Sequence, residues 1–152
     1  MDRRNALASA FAALAGAFTA HTVSSARAEG PSGGSAVPKA VYHLSDIDKV
    51  AFVLSNMRNH IEGLGGADKV QLALVVHGPP LKAFRADTTN ATFKSDFASI
   101  KSAGAEFYAC IHTMRGMKLT LADLLPGFVV ADNGGVVKLA ELQGQGFAYL
   151  RP

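Results

Sequence analysis

The stretch KVQLALVVHGPP, residues 69–80, decides the fold class. Its middle is an almost continuous apolar run of strand length, and Gly78-Pro79-Pro80 ends it. A strand that is apolar on both faces is typical of a parallel sheet with helices on both sides, whereas one-sided antiparallel strands alternate between polar and apolar residues. This run therefore predicts an α/β protein.

A short strand and an amphipathic helix precede this run. The strand is KAVYHLS (39–45), and Ser45 and Asp48 have the S-x-x-D spacing of a capping box, which predicts that the helix begins there. Gly65-Gly66 end the helix. Its apolar positions recur at spacings of three and four: Val50, Val53, Leu54, Met57, Ile61 and Leu64.

The segments after the run continue the alternation of strand and helix. A polar connection (81–92) with a helical turn at its start leads to a helix marked by Phe93, Phe97 and Ile100. EFYACIHTMRG (106–116) is then predicted as the third strand. Four further elements follow: a short helix with a Thr120/Asp123 capping box, the strand FVVAD (128–132), the helix 133–146 and a last strand at 147–152. The order predicts a three-layer α/β/α domain with a five-stranded parallel sheet.

The N-terminus has the pattern of an export signal. It combines the basic pair Arg3-Arg4, an apolar stretch at 6–20 that is shorter than the ~20 residues needed to span a bilayer, and the cleavage pattern Ala26-Arg27-Ala28. The arginine pair also fits a twin-arginine signal, with the general secretory route as the alternative. We expect a cleaved signal peptide at 1–28, a flexible leader at 29–38, a folded domain at 39–152, and a periplasmic location.

Charge and cysteine content narrow the class of protein. Removing residues 1–28 takes away three arginines and one aspartate, and leaves 12 basic against 11 acidic residues. Without a basic run, neither nucleic acid nor a membrane is the expected partner. Cys110 is the only cysteine, so in an oxidising compartment it is either free or paired with another molecule.

Ligands of parallel sheets bind beyond the carboxyl ends of the strands. The end of the third strand is the richest in chemistry, and the other ends contribute further polar groups. Our candidate catalytic residues are Cys110, His77 and His112. The candidate pocket residues are Gly78, Thr113, Asn133 and His43.

Three roles are open for Cys110. A free cysteine commonly packs as a small hydrophobe. At this edge, imidazoles or backbone N–H groups can instead lower the pKa of the thiol and make it a nucleophile, and His77 can pair with it if the second and third strands are neighbours. A Cys/His/His metal site matches no standard zinc spacing, so no metal is expected.

Two motifs fail on their spacing. Cys110 and Arg115 lie at the ends of a stretch like a phosphatase-type or rhodanese-type loop, but four residues separate them where that loop has five. DNGGVV (132–137) lacks the G-x-G-x-x-G pattern and is better explained as a helix start. No cofactor is expected.

Taken together, these segments resemble the DsrE/DsrF-like family of sulfur-relay proteins, which includes the YchN-type members. The resemblance covers residues 39–152. It rests on the order of LVVHGPPLKAF (74–84), GAEFYACIHTMRGM (104–117), DLLPG (123–127) and LQGQGFAYLRP (142–152).

The resemblance implies a flavodoxin-like fold and a trimeric or hexameric assembly. In the relay members a cysteine in this strand region accepts sulfur as a persulfide and passes it to a partner protein, a role that falls on Cys110 with His77 beside it. Two departures stand out. His112 occupies a position where related sequences commonly have Asn, and the best-known relay members are cytoplasmic.

Two functions follow as hypotheses. The first is an exported sulfur carrier that exchanges persulfide sulfur with donor and acceptor proteins or small thiols through Cys110. The second is a non-catalytic oligomer that binds a small ligand or a partner, with Cys110 only structural. An independent cysteine enzyme acting on an oxyanion or acyl substrate is disfavoured, because no acid–base orienter is evident.

Overall fold

A computed structural model describes residues 37–152, so the predicted signal peptide and nearly all of the predicted leader lie outside the described residues. The centre of the domain is one parallel sheet with the strand order β4-β3-β2-β1-β5. The strands are β1 (Lys39–Leu44), β2 (Gln71–Val76), β3 (Glu106–Cys110), β4 (Phe128–Ala131) and β5 (Ala148–Leu150). The predicted α/β fold with a five-stranded parallel sheet is confirmed.

Four helices connect the strands: α1 (Val50–Gly63), α2 (Ala91–Ser102), α3 (Ile111–Gly116) and α4 (Gly135–Gly144). Short 3-10 turns complete the connections at Ile47–Lys49, Ala67–Lys69, Pro79–Phe84 and Leu121–Asp123. Within residues 37–152, no helix has the length and apolar character needed to cross a membrane.

One face of the sheet carries the larger core. Helices α1 and α2 and the 3-10 turn Pro79–Phe84 pack against it. Its strand residues are the even-numbered ones of β1 and β2 together with Phe107, Ala109 and Phe128. Five phenylalanine rings meet here with centroids 4.4 to 6.0 Å apart. They are Phe84, Phe93, Phe97, Phe107 and Phe128.

The opposite face has a smaller core beneath α4. Val41, Ala73 and Val75 of the sheet pack there against Leu139 and Leu142 of the helix. Because successive side chains of a strand point to opposite faces, the ends of β1, β2 and β3 place their histidine and cysteine residues on this side. The three-layer arrangement therefore leaves the candidate residues under a single helix.

The two predicted capping boxes have different outcomes. Thr120 and Asp123 form theirs, with the Thr120 N–H and hydroxyl donating to the carboxylate at 2.7 and 2.8 Å. The box predicted at Ser45 and Asp48 is wrong: the turn before α1 has no side-chain cap. Ser45 donates instead to Asp46, a residue that forms an ion pair with Arg151.

The predicted third strand is too long. Only Glu106–Cys110 is extended, and the chain enters α3 at the next residue. Met114 is buried in the larger core, so tertiary packing holds this six-residue helix in place. Cys110 is consequently the last residue of β3 and the N-cap of α3.

Candidate functional site

The candidate site lies where β1, β2 and β3 end and where α4 begins. The register pairs Val76 of β2 with Ala109 of β3, which places His77 and Cys110 next to each other on adjacent strands. His43 lies on β1, the neighbour of β2 on its other side. The parallel sheet thus gathers three candidate residues that are 67 positions apart at most in the chain.

A pocket of about 360 Å³ opens at this edge. Its lining consists of His77, Cys110, His112, Thr113, Asn133, Gly134, Gly135, Val136 and Val137. Five of the seven predicted site residues therefore share one pocket. The other two, Gly78 and His43, lie behind it and are joined to it by hydrogen bonds.

Cys110 is only 5% exposed, yet it is one of the residues that line the pocket. Burial raises the pKa of the thiol, but the backbone N–H groups of Thr113, Gly135 and His112 and the Thr113 hydroxyl outweigh burial and hold the pKa below its usual value. Cys110 is the N-cap of α3, but its side chain forms no capping hydrogen bond. The effect of these donors on the sulfur is therefore electrostatic, as that of several partial positive charges acting together. These donors stabilise the thiolate relative to that of a free cysteine, and no charged residue is among the causes.

Thr113 is oriented for this role by Gly78. The Gly78 N–H donates to the Thr113 hydroxyl oxygen at 2.8 Å, which leaves the hydroxyl proton for the sulfur. Gly78 has φ +71°, a left-handed conformation that glycine adopts without steric cost. The backbone turn after β2 thereby fixes the orientation of the Thr113 hydroxyl on α3.

Gly135 lets the start of α4 approach the site. A Cβ atom added there would lie 3.2 Å from the His77 Cβ and 3.4 Å from the Cys110 Cβ. At Gly134 the added atom would lie 2.9 Å from the His112 ring. Close packing against the site therefore explains why both positions are glycine. The sequence alone indicated only that the pair precedes a helix.

His43 of β1 and His77, the residue after β2, form a hydrogen-bonded row with Tyr149 of β5. The His43 and His77 Nε2 atoms are 2.5 Å apart, and the His43 Nδ1 atom is 2.6 Å from the Tyr149 hydroxyl. The two imidazoles meet edge to edge, with centroids 4.7 Å apart and planes 19° apart, so their Nε2 atoms face each other. Tyr149 was not predicted, because nothing in the sequence indicates that β5 lies beside β1.

The surroundings of both histidines favour the neutral ring over the imidazolium. Burial, then the charges of His77 and Arg151, lower the pKa of His43 to about 4, against a smaller opposing effect of Asp46. Burial and then Arg151 likewise lower the pKa of His77. The negative charge of a Cys110 thiolate is therefore stabilised by N–H and O–H donors rather than by a neighbouring imidazolium.

His112 borders the pocket from the solvent side. Its side chain is exposed and its ring lies against Gly134, while its backbone N–H acts on the sulfur. Among residues 37–152, no group of three or more His, Cys, Asp or Glu side chains is arranged to hold a metal ion.

The fold and the site together define a small α/β domain with a thiol pocket at the carboxyl edge of a parallel sheet. A protein of unknown function from Methanobacterium thermoautotrophicum, MTH1491, has a similar structure, with a TM-score of 0.66 and 28% sequence identity over 76% of this chain and 99% of that one. A conserved protein of unknown function from Bacteroides thetaiotaomicron, BT1422, is also similar, with a TM-score of 0.58 and 17% identity over 79% of this chain and 99% of that one. No family model and no curated protein matches the sequence. These neighbours support the fold and leave the activity to be inferred from the site.

Proposed function

We propose that this chain is an exported DsrE/DsrF-like sulfur carrier that holds sulfur as a persulfide on Cys110. The observation that carries the proposal is that Cys110 lines an open pocket and has N–H and O–H donors that lower the pKa of its thiol. A cysteine that only fills space in a core needs neither feature. The family resemblance of residues 39–152 is the basis for proposing sulfur as the group that is carried.

The reaction transfers one sulfur atom without net oxidation. The Cys110 thiolate attacks the outer sulfur of a donor persulfide R–S–SH, forms the new S–S bond and releases the donor thiolate R–S⁻. An acceptor thiolate then attacks the outer sulfur of Cys110–S–SH and regenerates the Cys110 thiolate. Because the chain has one cysteine, no internal thiol can capture the persulfide as a disulfide.

The pocket suits both steps. The donors around the sulfur stabilise the Cys110 thiolate before loading and as the leaving group on release. The volume of about 360 Å³ accepts a small persulfide or the tip of a partner's cysteine-bearing loop. Donor and acceptor are therefore small thiols or proteins that present a thiol.

Assembly as a trimer or hexamer belongs to the same proposal. Val129, Val136 and Val137 are 54%, 67% and 43% exposed. Val136 and Val137 also line the pocket, so an assembly that covers them would lie beside the site. The periplasmic location rests on the N-terminal sequence pattern.

The proposal is tested by loading the purified protein with glutathione persulfide and mapping the product by mass spectrometry. We expect a gain of about 32 Da, one sulfur atom, on the peptide that contains Cys110. The adduct should be removed by dithiothreitol and absent from Cys110→Ser. If the protein gains no sulfur on Cys110, the carrier function is contradicted and the non-catalytic binding protein becomes the better hypothesis.

A further inference from the structure

The row of Tyr149, His43 and His77 connects the pocket to the protein surface. His77 lines the pocket that contains Cys110, and its Nε2 atom contacts the Nε2 atom of His43. The other ring nitrogen of His43 contacts the Tyr149 hydroxyl, and Tyr149 is 40% exposed. The row is therefore continuous from the pocket that contains Cys110 to an exposed tyrosine on a different part of the surface.

The row can run in either of two hydrogen-bond directions. A neutral imidazole has one N–H and one lone pair, so the two rings donate in the same direction along the row. In one direction Tyr149 donates to His43, His43 donates to His77, and the His77 proton is on Nδ1. In the other direction His77 donates to His43, and its Nδ1 atom is a free base.

We propose that His77 is the acid–base group of sulfur transfer at Cys110, and that His43 and Tyr149 are positioning residues that exchange its proton with solvent. This inference rests on the proposed sulfur-carrier function. It assigns a role to two residues outside the pocket, His43 and Tyr149.

The proton balance closes over one cycle. During loading, the His77 Nδ1–H protonates the departing donor thiolate R–S⁻, His77 takes a proton from His43 at Nε2, and His43 takes one from Tyr149, which is reprotonated by water. During release, the His77 Nδ1 atom accepts the proton of the acceptor thiol and the row returns its proton to solvent. The sum is R–S–SH + R′–SH → R–SH + R′–S–SH.

The charges around the row favour transfer between neutral rings. Arg151, beyond β5, disfavours an imidazolium at both histidines, whereas Asp46, beyond β1, opposes this effect and is itself paired with Arg151. Transfer by exchange of tautomers avoids placing a second cation there. Both contacts of the row lie within hydrogen-bond distance, so a proton can pass between neighbouring members without an intervening group.

The test compares His43→Gln with the unchanged protein. A glutamine amide can still hydrogen-bond His77 but cannot pass a proton on. Loading is measured in single turnover with two persulfides, one whose leaving thiol has a high pKa and one whose leaving thiol has a low pKa. We expect loading from the high-pKa donor to slow roughly tenfold and loading from the low-pKa donor to change little, since a good leaving group needs no acid.

Two further variants make the result specific. Tyr149→Phe leaves both imidazoles in place and should slow the high-pKa donor in the same selective way. His60→Gln is the matched control: His60 bonds the Tyr42 hydroxyl, apart from the row, and its loss should leave the donor dependence unchanged. Alkylation of Cys110 by iodoacetamide, which needs the thiolate but no proton donor, should proceed at the normal rate in all variants.

The outcomes separate this inference from the function on which it rests. If the unchanged protein takes no sulfur from either donor, the carrier function and the proton path are both wrong. If it loads normally and His43→Gln slows both donors equally or slows neither, the proton path alone is overturned.

Discussion

The two faces of the sheet divide the work of the molecule. The face beneath α1 and α2 is filled with apolar side chains, including a cluster of five phenylalanine rings. The face beneath α4 has a small core, a glycine at the start of the helix and the thiol pocket. Neighbouring residues of one strand serve both: Leu44, Val76 and Ala109 enter the larger core, and His43, His77 and Cys110 lie on the α4 side. Because side chains alternate along a strand, a residue that stabilises the fold is directly followed or preceded in the chain by a residue of the candidate site.

The largest expected effect is on the larger core. Phe84 is fully buried and its ring meets three other phenylalanines. Phe84→Ala should lower the free energy of unfolding by about 3–5 kcal/mol, because it removes buried surface and leaves a cavity. Urea unfolding measures this change.

The matched measurement is the rate at which iodoacetamide alkylates Cys110 in the folded Phe84→Ala variant. If the faces are independent, this rate stays near that of the unchanged protein. A large change in thiol reactivity would show that the core and the pocket are coupled.

Gly135→Ala should also destabilise the protein, but unlike Phe84→Ala it should affect the pocket more than the fold. The new methyl group would crowd the Cβ atoms of His77 and Cys110, so we expect a loss of about 1–3 kcal/mol in unfolding free energy and a displaced α4 N–H. Slower alkylation of Cys110 at pH 7 is the expected result for the thiol.

Gly144→Ala is the control in the same helix. An added Cβ at Gly144 meets nothing within 4 Å, so alanine there should stabilise the protein by about 0.5–1 kcal/mol through helix propensity. Equal effects at both positions would mean that the close approach at Gly135 is unimportant.

A smaller effect is expected from acid. The pKa of His43 is about 4 in the folded protein, below its ordinary value near 6.5. Between these values the unfolded chain binds a proton that the folded protein does not, so stability is complete above pH 6.5 and falls as the pH is lowered toward 4.

Comparison of urea unfolding at pH 7 and pH 5 tests this effect. His43→Gln removes the proton difference and should lose less stability in acid than the unchanged protein, by about 1 kcal/mol given that His43 is only partly shielded from water. An identical acid response in both proteins would contradict the shift at His43.

Much of the fold could be predicted because local patterns and packing agree. The apolar run at 69–80 and the glycine stops gave the strand order along the chain, and Cys110 and His77 met because adjacent parallel strands end at one edge. Helix α3 was missed because six residues are too few to show helical periodicity. The Ser45/Asp48 box was wrong because the Ser45 hydroxyl donates to Asp46 and accepts from Arg151, a partner 106 positions away.

The histidine row could not be predicted for a related reason. His43 was singled out as a pocket residue, but its partners depend on β5 returning to the side of β1 away from β2. The sequence reveals which strands exist and leaves their lateral order open. Nothing in the sequence around Tyr149 therefore indicates that it contacts His43.

The most direct test of the central claim is the pKa of the Cys110 thiol, measured from the rate of iodoacetamide alkylation against pH. The donors around the sulfur predict an inflection below the ~8.5 of free cysteine. Thr113→Val, which loses the hydroxyl, should shift the inflection upward by about one pH unit, and Thr113→Ser should restore it. An inflection at or above ~8.5 in the unchanged protein would contradict the account and make Cys110 a packing residue.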